Sequence, residues 1–269
     1  VDAILAAAKE AGAEAIHPGY GLLSENAGFA KRVEQEGLVF IGPTSEVIEA
    51  MGSKLEARKR MASAGVPIIE GVNEAMASAT EASDVAAKIG YPVMLKASAG
   101  GGGIGMQVVH DEAELLKAFE GNQKRAESFF GDGTMFVEKF IAEPHHIEVQ
   151  VLADQHGHTI PVFERECSVQ RRNQKVVEEA TSPFISAETR EKMLDAAVAA
   201  ASSIGYTNAG TIEFLVDANE QFYFLEMNTR LQVEHPVTEE ISGLDLVEWQ
   251  LKIASGEELT IERSQLTIH

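Results

Sequence analysis

A single cysteine, Cys167, in 269 residues leaves no internal disulfide to form, and without a CxxC pair or a His/Cys cluster there is no zinc signature. Long apolar runs are missing too. None approaches the roughly 18 residues of a membrane span, and no signal peptide is visible. Bases are scarce, 22 against 42 acids, for a formal charge of −20. That balance disfavours nucleic acid and anionic membranes as partners, so an anionic ligand must find a local basic pocket. What the chain does have is apolar residues, 45% of the total, enough to build one large domain or two smaller ones. The unpaired cysteine fits a reducing compartment, the cytoplasm or, in a eukaryote, the mitochondrial matrix. The chain opens at Val1 inside a helical pattern, and an upstream piece is therefore expected to precede it.

The first fifty residues alternate helix and strand. An Ala-rich helix ends at Gly12, a short strand Ala15-Ile16 leads into the turn His17-Pro18-Gly19-Tyr20-Gly21, and a helix from Glu25 to Glu36 precedes the strand Leu38 to Ile41. This order predicts the tail of a doubly wound sheet. From Thr44 to Ala64 the pattern is helical, with Lys54 inside it, and Gly65-Val66-Pro67 stops it.

Residues Ile68 to Phe140 read as a smaller α+β unit with strands at Pro92–Lys96, Met106–His110 and Met135–Lys139. Between the first two lies a glycine-rich loop that formally contains GxGxxG at Gly100, Gly102 and Gly105. A dinucleotide fingerprint needs a helix to begin there, whereas Met106-Gln-Val-Val-His110 is β-like, and no GxxxxGK[ST] occurs. The remaining reading is a hairpin loop of backbone N–H groups beside Lys96, able to fold over phosphates. Strands at Ile147–Leu152 and Thr159–Phe163 follow, then a basic segment, Gln170-Arg-Arg-Asn-Gln-Lys175, which in so acidic a chain reads as an anion site. Helices are expected at Ala187–Ile204 and Leu244–Ala254.

The stretch Gly210 to Pro236 carries the chemistry. Two apolar runs, Thr211–Val216 and Phe222–Met227, flank a polar turn and predict a β-hairpin that sets Glu213 opposite Glu226. Facing carboxylates roughly 5 Å apart destabilise a sheet unless a positive charge lies between them. A divalent cation would supply it, with Asn228 on the same face as a third ligand, and an all-oxygen set favours Mg²⁺ or Mn²⁺. Ile212, Phe214, Leu225 and Met227 are expected on the opposite face, with Leu215 and Phe224 on the glutamate face. If the chain stays extended, Arg230, Gln232 and Glu234 continue the glutamate row.

HPGYGLLSEN, MGSK, Lys96 with its glycine loop, EKFIAEPHHIEVQ, ECSVQRRNQKVVEEA, GTIEFLVD and FYFLEMNTRLQVEHPVTE together resemble the biotin carboxylases, ATP-grasp enzymes of the biotin-dependent acyl-CoA carboxylases. The resemblance implies an α/β and α+β chain: residues 1–50 as the end of a Rossmann-like pre-ATP-grasp domain, and 51–269 as an ATP-grasp domain with a lid at about 68–140. The family's C-terminal domain would be absent. The implied activity is an ATP-dependent ligase reaction, carboxylation of carrier-bound biotin by bicarbonate through carboxyphosphate. ATP, Mg²⁺ (or Mn²⁺) and biotin are the implied cofactors and substrates. A biotin carboxyl carrier domain, a carboxyltransferase component and a second copy in a homodimer or larger assembly are the implied partners.

By motif, Lys54, Lys96, Gly102, Gly103, Glu138, Lys139, Ile141, His146 and Gln170 resemble the nucleotide-binding set, and Glu213, Glu226 and Asn228 the metal ligands. Lys175, Arg230, Gln232 and Val233 resemble the bicarbonate site, with Lys175, Arg230 and the base Glu234 catalytic. Two departures stand out: Ile104 and Gln107 occupy places usually basic in the lid, and Asn173 one often held by His near the ribose. Two other readings stay open at this point, a nucleotide-binding or assembly module without turnover and an ATP-grasp ligase of the carbamoyl phosphate synthetase type.

Overall fold

In the computed structural model, residues 1–71, 75–76, 78–99 and 105–269 are described. Helix α1 (Asp2–Glu10), strand β1 (Ala15–Ile16), helix α2 (Ala27–Gln35) and strand β2 (Val39–Phe40) form the first unit, with β1 and β2 paired in parallel. Leu5, Phe29, Ala30, Val33, Phe40 and Ile48 are its core. The helical pattern of 44–64 is two helices rather than one, α3 (Ser45–Gly52) and α4 (Lys54–Ser63). Ser53, with φ −92° and ψ 113°, breaks the run, and its hydroxyl accepts from the Glu56 N–H as the cap of α4. Lys54 therefore opens a helix instead of sitting in the middle of one.

Helix α5 (Ala79–Ile89), strands β3 (Val93–Ala97) and β4 (Met106–Val109), helix α6 (Glu112–Phe130) and strand β5 (Met135–Lys139) build the small α+β unit. Its sheet is antiparallel in the order β4-β3-β5, and Lys96 pairs with Met106, so the glycine-rich stretch does join two strands of a hairpin. Apolar faces of both helices cover this sheet through Ala82, Ala86, Leu115 and Phe119.

The main sheet holds β6 (His145–Ala153), β7 (Thr159–Arg171), β8 (Gln174–Glu179), β9 (Asn208–Val216) and β10 (Phe222–Asn228) in the order β10-β9-β6-β7-β8, all antiparallel. Two-residue periodicity explains its layers. Ile147, Val149 and Val151 of β6 and Ile212, Phe214 and Val216 of β9 point into one core with α7 (Ala187–Ser203), α3 and α4. His146, Glu148 and Gln150 alternate with them and so lie on the other face. There, α8 (His235–Ser242) and α9 (Leu246–Ala254) frame one end, where Leu152, Val162, Leu246 and Ile253 form a further cluster. His146 of this row reaches a cleft, while Glu148 and Gln150 are buried beneath it. The sequence pattern gave α9 but not α8, whose short polar HPVTEEIS carries Pro at its start and only a narrow apolar stripe. No described helix is long and apolar enough to cross a membrane.

Asp154 holds the β6–β7 turn. Its buried carboxylate accepts from the N–H groups of His156 (2.8 Å), His158 (2.9 Å) and Leu259 (2.8 Å), and from His158 Nδ1 (2.9 Å). Burial alone would raise its pKa, but these donors lower it from 3.8 to about 2. Because the folded value lies below the unfolded one, this stabilisation is complete above the ordinary aspartate range and is lost as pH falls through about 2. Asp154→Asn is expected to cost about 2 kcal/mol at pH 7. In thermal melts the gap to the wild type should narrow below the unfolded aspartate pKa.

Candidate active site

The reaction-centre hairpin forms with a twist the sequence did not announce. Asp217 Oδ1 accepts from the N–H groups of Asn219 (2.8 Å) and Gln221 (3.0 Å), closing the turn. Next to it Phe222 pairs with Val216 and Phe224 with Phe214; a bulge at Leu225 then shifts the register by one, and that shift brings Glu226 opposite Glu213. The bulge also exchanges two side chains relative to simple alternation. Phe224 packs into the core with Ile212, Phe214 and Met227, whereas Leu225 joins Leu215 in lining the cleft.

That cleft, about 1190 Å³, lies between the small α+β unit and the main sheet. Every sequence-predicted site residue within the described chain lines it: Lys54, Lys96, Glu138, Lys139, Ile141, His146, Gln170, Lys175, Glu213, Glu226, Asn228, Arg230, Gln232, Val233 and Glu234. Gly102 and Gly103, with the departure Ile104, fall outside the described residues. Gln107 is within them, and its Oε1 accepts from Asn122 Nδ2 of α6 at 2.8 Å.

On the side of the small α+β unit, Glu138 is buried between Arg58, whose Nη1 lies 2.9 Å away, and Lys96. Lys139 Nζ donates to the Gly90 carbonyl at 2.7 Å, so its side chain is committed. The strand ends there, and Ile141 follows it along the cleft wall. Burial lowers the pKa of Lys54; Glu226 partly offsets this and Lys96 deepens it. Lys96 is neutralised by Glu138, so Lys54 is the more weakly compensated of the two ammonium groups in this wall.

Glu213 is the hub. Its Oε1 accepts from Lys175 Nζ (2.9 Å), Asn228 Nδ2 (2.7 Å) and Gln232 Nε2 (3.0 Å), and its Oε2 lies 2.8 Å from His146 Nε2. Burial would raise its pKa, but His146 and Lys175 hold it well below the usual carboxylate range. Glu226 is the opposite case. Burial and the facing Glu213 raise its pKa, Lys54 opposes them only in part, and no described side chain donates to it.

Two carboxylates at paired positions, one of them without a donor, fit a hard divalent cation. Asn228 presents Nδ2 to Glu213 while its Oδ1 accepts from Arg230 Nη2 at 3.0 Å; a cation there calls for Oδ1 instead. A competing trio, His146, Glu148 and Glu213, has ligand atoms within 4.8 Å of one another. Its two members besides Glu213 are already satisfied: Gln170 Nε2 holds His146 Nδ1 at 2.8 Å, and Arg165 and Lys175 hold Glu148.

Beyond β10 the chain does not stay extended. It bends at Thr229-Arg230 and turns at Val233-Glu234 into α8, yet Arg230, Gln232 and Glu234 still converge on the cleft. Glu25 explains part of this: its carboxylate accepts from the Thr229 N–H (3.0 Å) and from Arg230 Nε (2.9 Å), tying the first unit to the hairpin's exit. Lys175 Nζ bonds Glu148, Glu213 and Glu234 together. Burial would depress its pKa, but Glu213 and Glu148 raise it well above the ordinary lysine value. Lys175 in turn lowers the pKa of Glu234 against the effect of burial, so Glu234 is ionised at neutral pH.

The basic segment is narrower as an anion site than its composition suggests. Arg172 (φ 53°) and Asn173 (φ 62°) form the tight turn between β7 and β8. Gln170, Asn173 and Lys175 line the cleft, whereas Arg171 and Arg172 are exposed and do not.

Sequence reasoning missed Glu25, Arg58, Glu148 and Arg165. For Glu148 a signal existed, since His146, Glu148 and Gln150 alternate with Ile147, Val149 and Val151 and must share the sheet face that carries His146. Arg165 gave none, because its partners come from four other segments.

Residues 1–48 match the family described as Biotin carboxylase, N-terminal domain, and residues 53–262 the family described as Carbamoyl-phosphate synthase L chain, ATP binding domain. The chain is 64% identical over 266 residues to Biotin carboxylase 2 of Bacillus subtilis, covering 99% of this chain and 60% of that protein. A biotin carboxylase–β,γ-ATP complex from Campylobacter jejuni superposes with a TM-score of 0.96 at 49% identity, over 99% of this chain and 60% of the other. The biotin carboxylase domain dimer of Hydrogenobacter thermophilus 2-oxoglutarate carboxylase, solved with MgADP, ADP and bicarbonate, superposes with a TM-score of 0.95 at 48% identity, over 100% and 59%. The chain thus spans about 60% of the length of these relatives.

Proposed function

The chain belongs to the biotin carboxylase family and has its ATP-grasp fold, and from that premise we propose that it forms the nucleotide, metal and bicarbonate site of an enzyme that carboxylates carrier-borne biotin at the expense of ATP. Residues 1–50 close the pre-ATP-grasp domain, and 51–269 are the ATP-grasp domain with its lid at about 68–140. The observation that carries the reading is the convergence of Glu213, Glu226, Lys175, Arg230, Gln232 and Glu234 with Lys54 and Lys96 in the lining of one cleft.

ATP lies with its base along 138–141 and its phosphates toward Lys54 and Lys96, which neutralise charge as the γ-phosphoryl group is transferred. Glu213, Glu226 and Asn228 hold Mg²⁺, or Mn²⁺, which when bound neutralises the phosphate oxygens. Bicarbonate sits against Lys175, Arg230, Gln232 and the Val233 backbone. Glu234 takes the bicarbonate proton, bicarbonate oxygen attacks the γ-phosphorus, and ADP leaves carboxyphosphate. Carboxyphosphate separates into CO₂ and phosphate; the released phosphate takes the biotin ureido N–H proton, the nitrogen adds to the CO₂, and Arg230 stabilises the enolate-like oxygen. The carrier domain and carboxyltransferase that complete the cycle belong to other segments or chains, and the assembly is a dimer or larger.

The test is phosphate release by the full chain carrying this segment, with Mg-ATP, bicarbonate and free biotin. Release is expected to require bicarbonate and to rise with biotin. Stimulation by ammonia in place of biotin would favour the carbamoyl phosphate synthetase reading, against which the match of residues 1–48 already speaks. Nucleotide binding without release would favour a non-catalytic module.

A further inference from the structure

Arg165 is the largest fully buried side chain among the described residues, and the mechanism does not use it. All five of its N–H groups are spent inside the protein. Nε donates to Glu148 Oε1 (2.6 Å), Nη1 to Gln150 Oε1 (3.0 Å) and Thr238 Oγ1 (2.8 Å), and Nη2 to Gln232 Oε1 (2.9 Å) and Thr211 Oγ1 (3.3 Å). With no donor left over, it cannot bind a substrate itself.

Its effect on its neighbours is specific. An amide side chain can present either end, but a guanidinium only donates, so Gln232 must turn Oε1 to Arg165 and Nε2 to the cleft, where it meets Glu213 Oε1 at 3.0 Å. Likewise Arg165 occupies Glu148 Oε1 and leaves Oε2 to Lys175 Nζ. Resting on the reading above, we infer that Arg165 is a positioning residue for bicarbonate: it fixes the Gln232 amide donor-first and anchors Glu148 so that Lys175 stays at the anion's place.

Lysine cannot substitute, because three donors on a point charge leave two of the five acceptors unmet. In the full chain, Arg165→Lys is expected to raise the bicarbonate KM at least about tenfold, the scale of one hydrogen bond to a charged group. The ATP KM should stay within about twofold, as expected if only bicarbonate binding is touched. In a cycle with Gln232→Ala, the double variant should lose less than the product of the two single losses, because both act through one amide. A merely structural arginine would instead give losses that multiply, or raise both KM values together, and either result overturns the inference. If Arg165→Lys does not fold, Thr238→Val removes one acceptor from the same guanidinium at constant volume; an unchanged bicarbonate KM there also overturns it. Failure of the wild-type chain to cleave ATP with bicarbonate would defeat the proposed function, whereas a wild-type response with an indifferent Arg165→Lys defeats this inference alone.

Discussion

Glu226→Gln is expected to lower Mg-ATP cleavage at least about a hundredfold while leaving the ligand-free protein as stable as before, or slightly more so. The two effects have one cause. Without an ion, Glu226 faces Glu213 across the hairpin with no donor of its own, and burial and that neighbour both raise its pKa. Neutralising one member of a directly opposed like-charged pair relieves on the order of 0.2–1 kcal/mol. With the ion present, the same change would remove one of the two anionic ligands proposed for it. Melting curves should therefore show no loss in buffer but a smaller upward shift with Mg-nucleotide, since that shift measures ligand affinity. A variant that is simply misfolded would fail in both conditions, and one that retains turnover would show that Glu226 is not a ligand.

Lys175→Met should cost about 3–5 kcal/mol and remove bicarbonate-dependent ATP cleavage. One ammonium group here serves three carboxylates, the buried Glu148 and Glu213 and the half-buried Glu234. Taking it away leaves Glu234 without its cation, Glu148 with Arg165 alone and Glu213 with only His146 and two amides. The pH dependence follows from the shifts. Lys175 has a raised pKa, so its contribution is complete below the unfolded lysine value and is lost only as pH rises through the folded one. Glu213 and Glu234 have lowered values, so their contributions are complete above the unfolded glutamate pKa and are lost as pH falls through the folded ones. The penalty of Lys175→Met should accordingly be flat through neutral pH and shrink in acid, as denaturant titrations across that range would show.

The hairpin was legible because strand periodicity and a polar turn nearly determine which side chains meet, and like-charged partners at paired positions ask for an explanation. The Leu225 bulge was not, because an extra residue in one strand leaves no mark on a two-residue pattern. The Ser53 break escaped for a related reason: serine is tolerated within a helix, and only its side-chain bond to the Glu56 N–H makes it a cap. Arg230, Gln232 and Glu234 were placed together on the assumption of an extended chain. They do meet, but through a bend stabilised by Glu25, roughly two hundred residues earlier, as long-range partners of this kind lie beyond any local pattern. Arg165 is the extreme case, a buried cation whose five acceptors come from β6, β9, the segment after β10 and α8.

The central claim is the place of the metal, and it can be read directly by growing crystals of the full chain with Mn²⁺ and nucleotide and locating the ion by its anomalous scattering. The account predicts the peak between the carboxylates of Glu213 and Glu226, with Asn228 beside it. A peak held instead by His146 and Glu148, or nucleotide bound with no metal near Glu226, would contradict it.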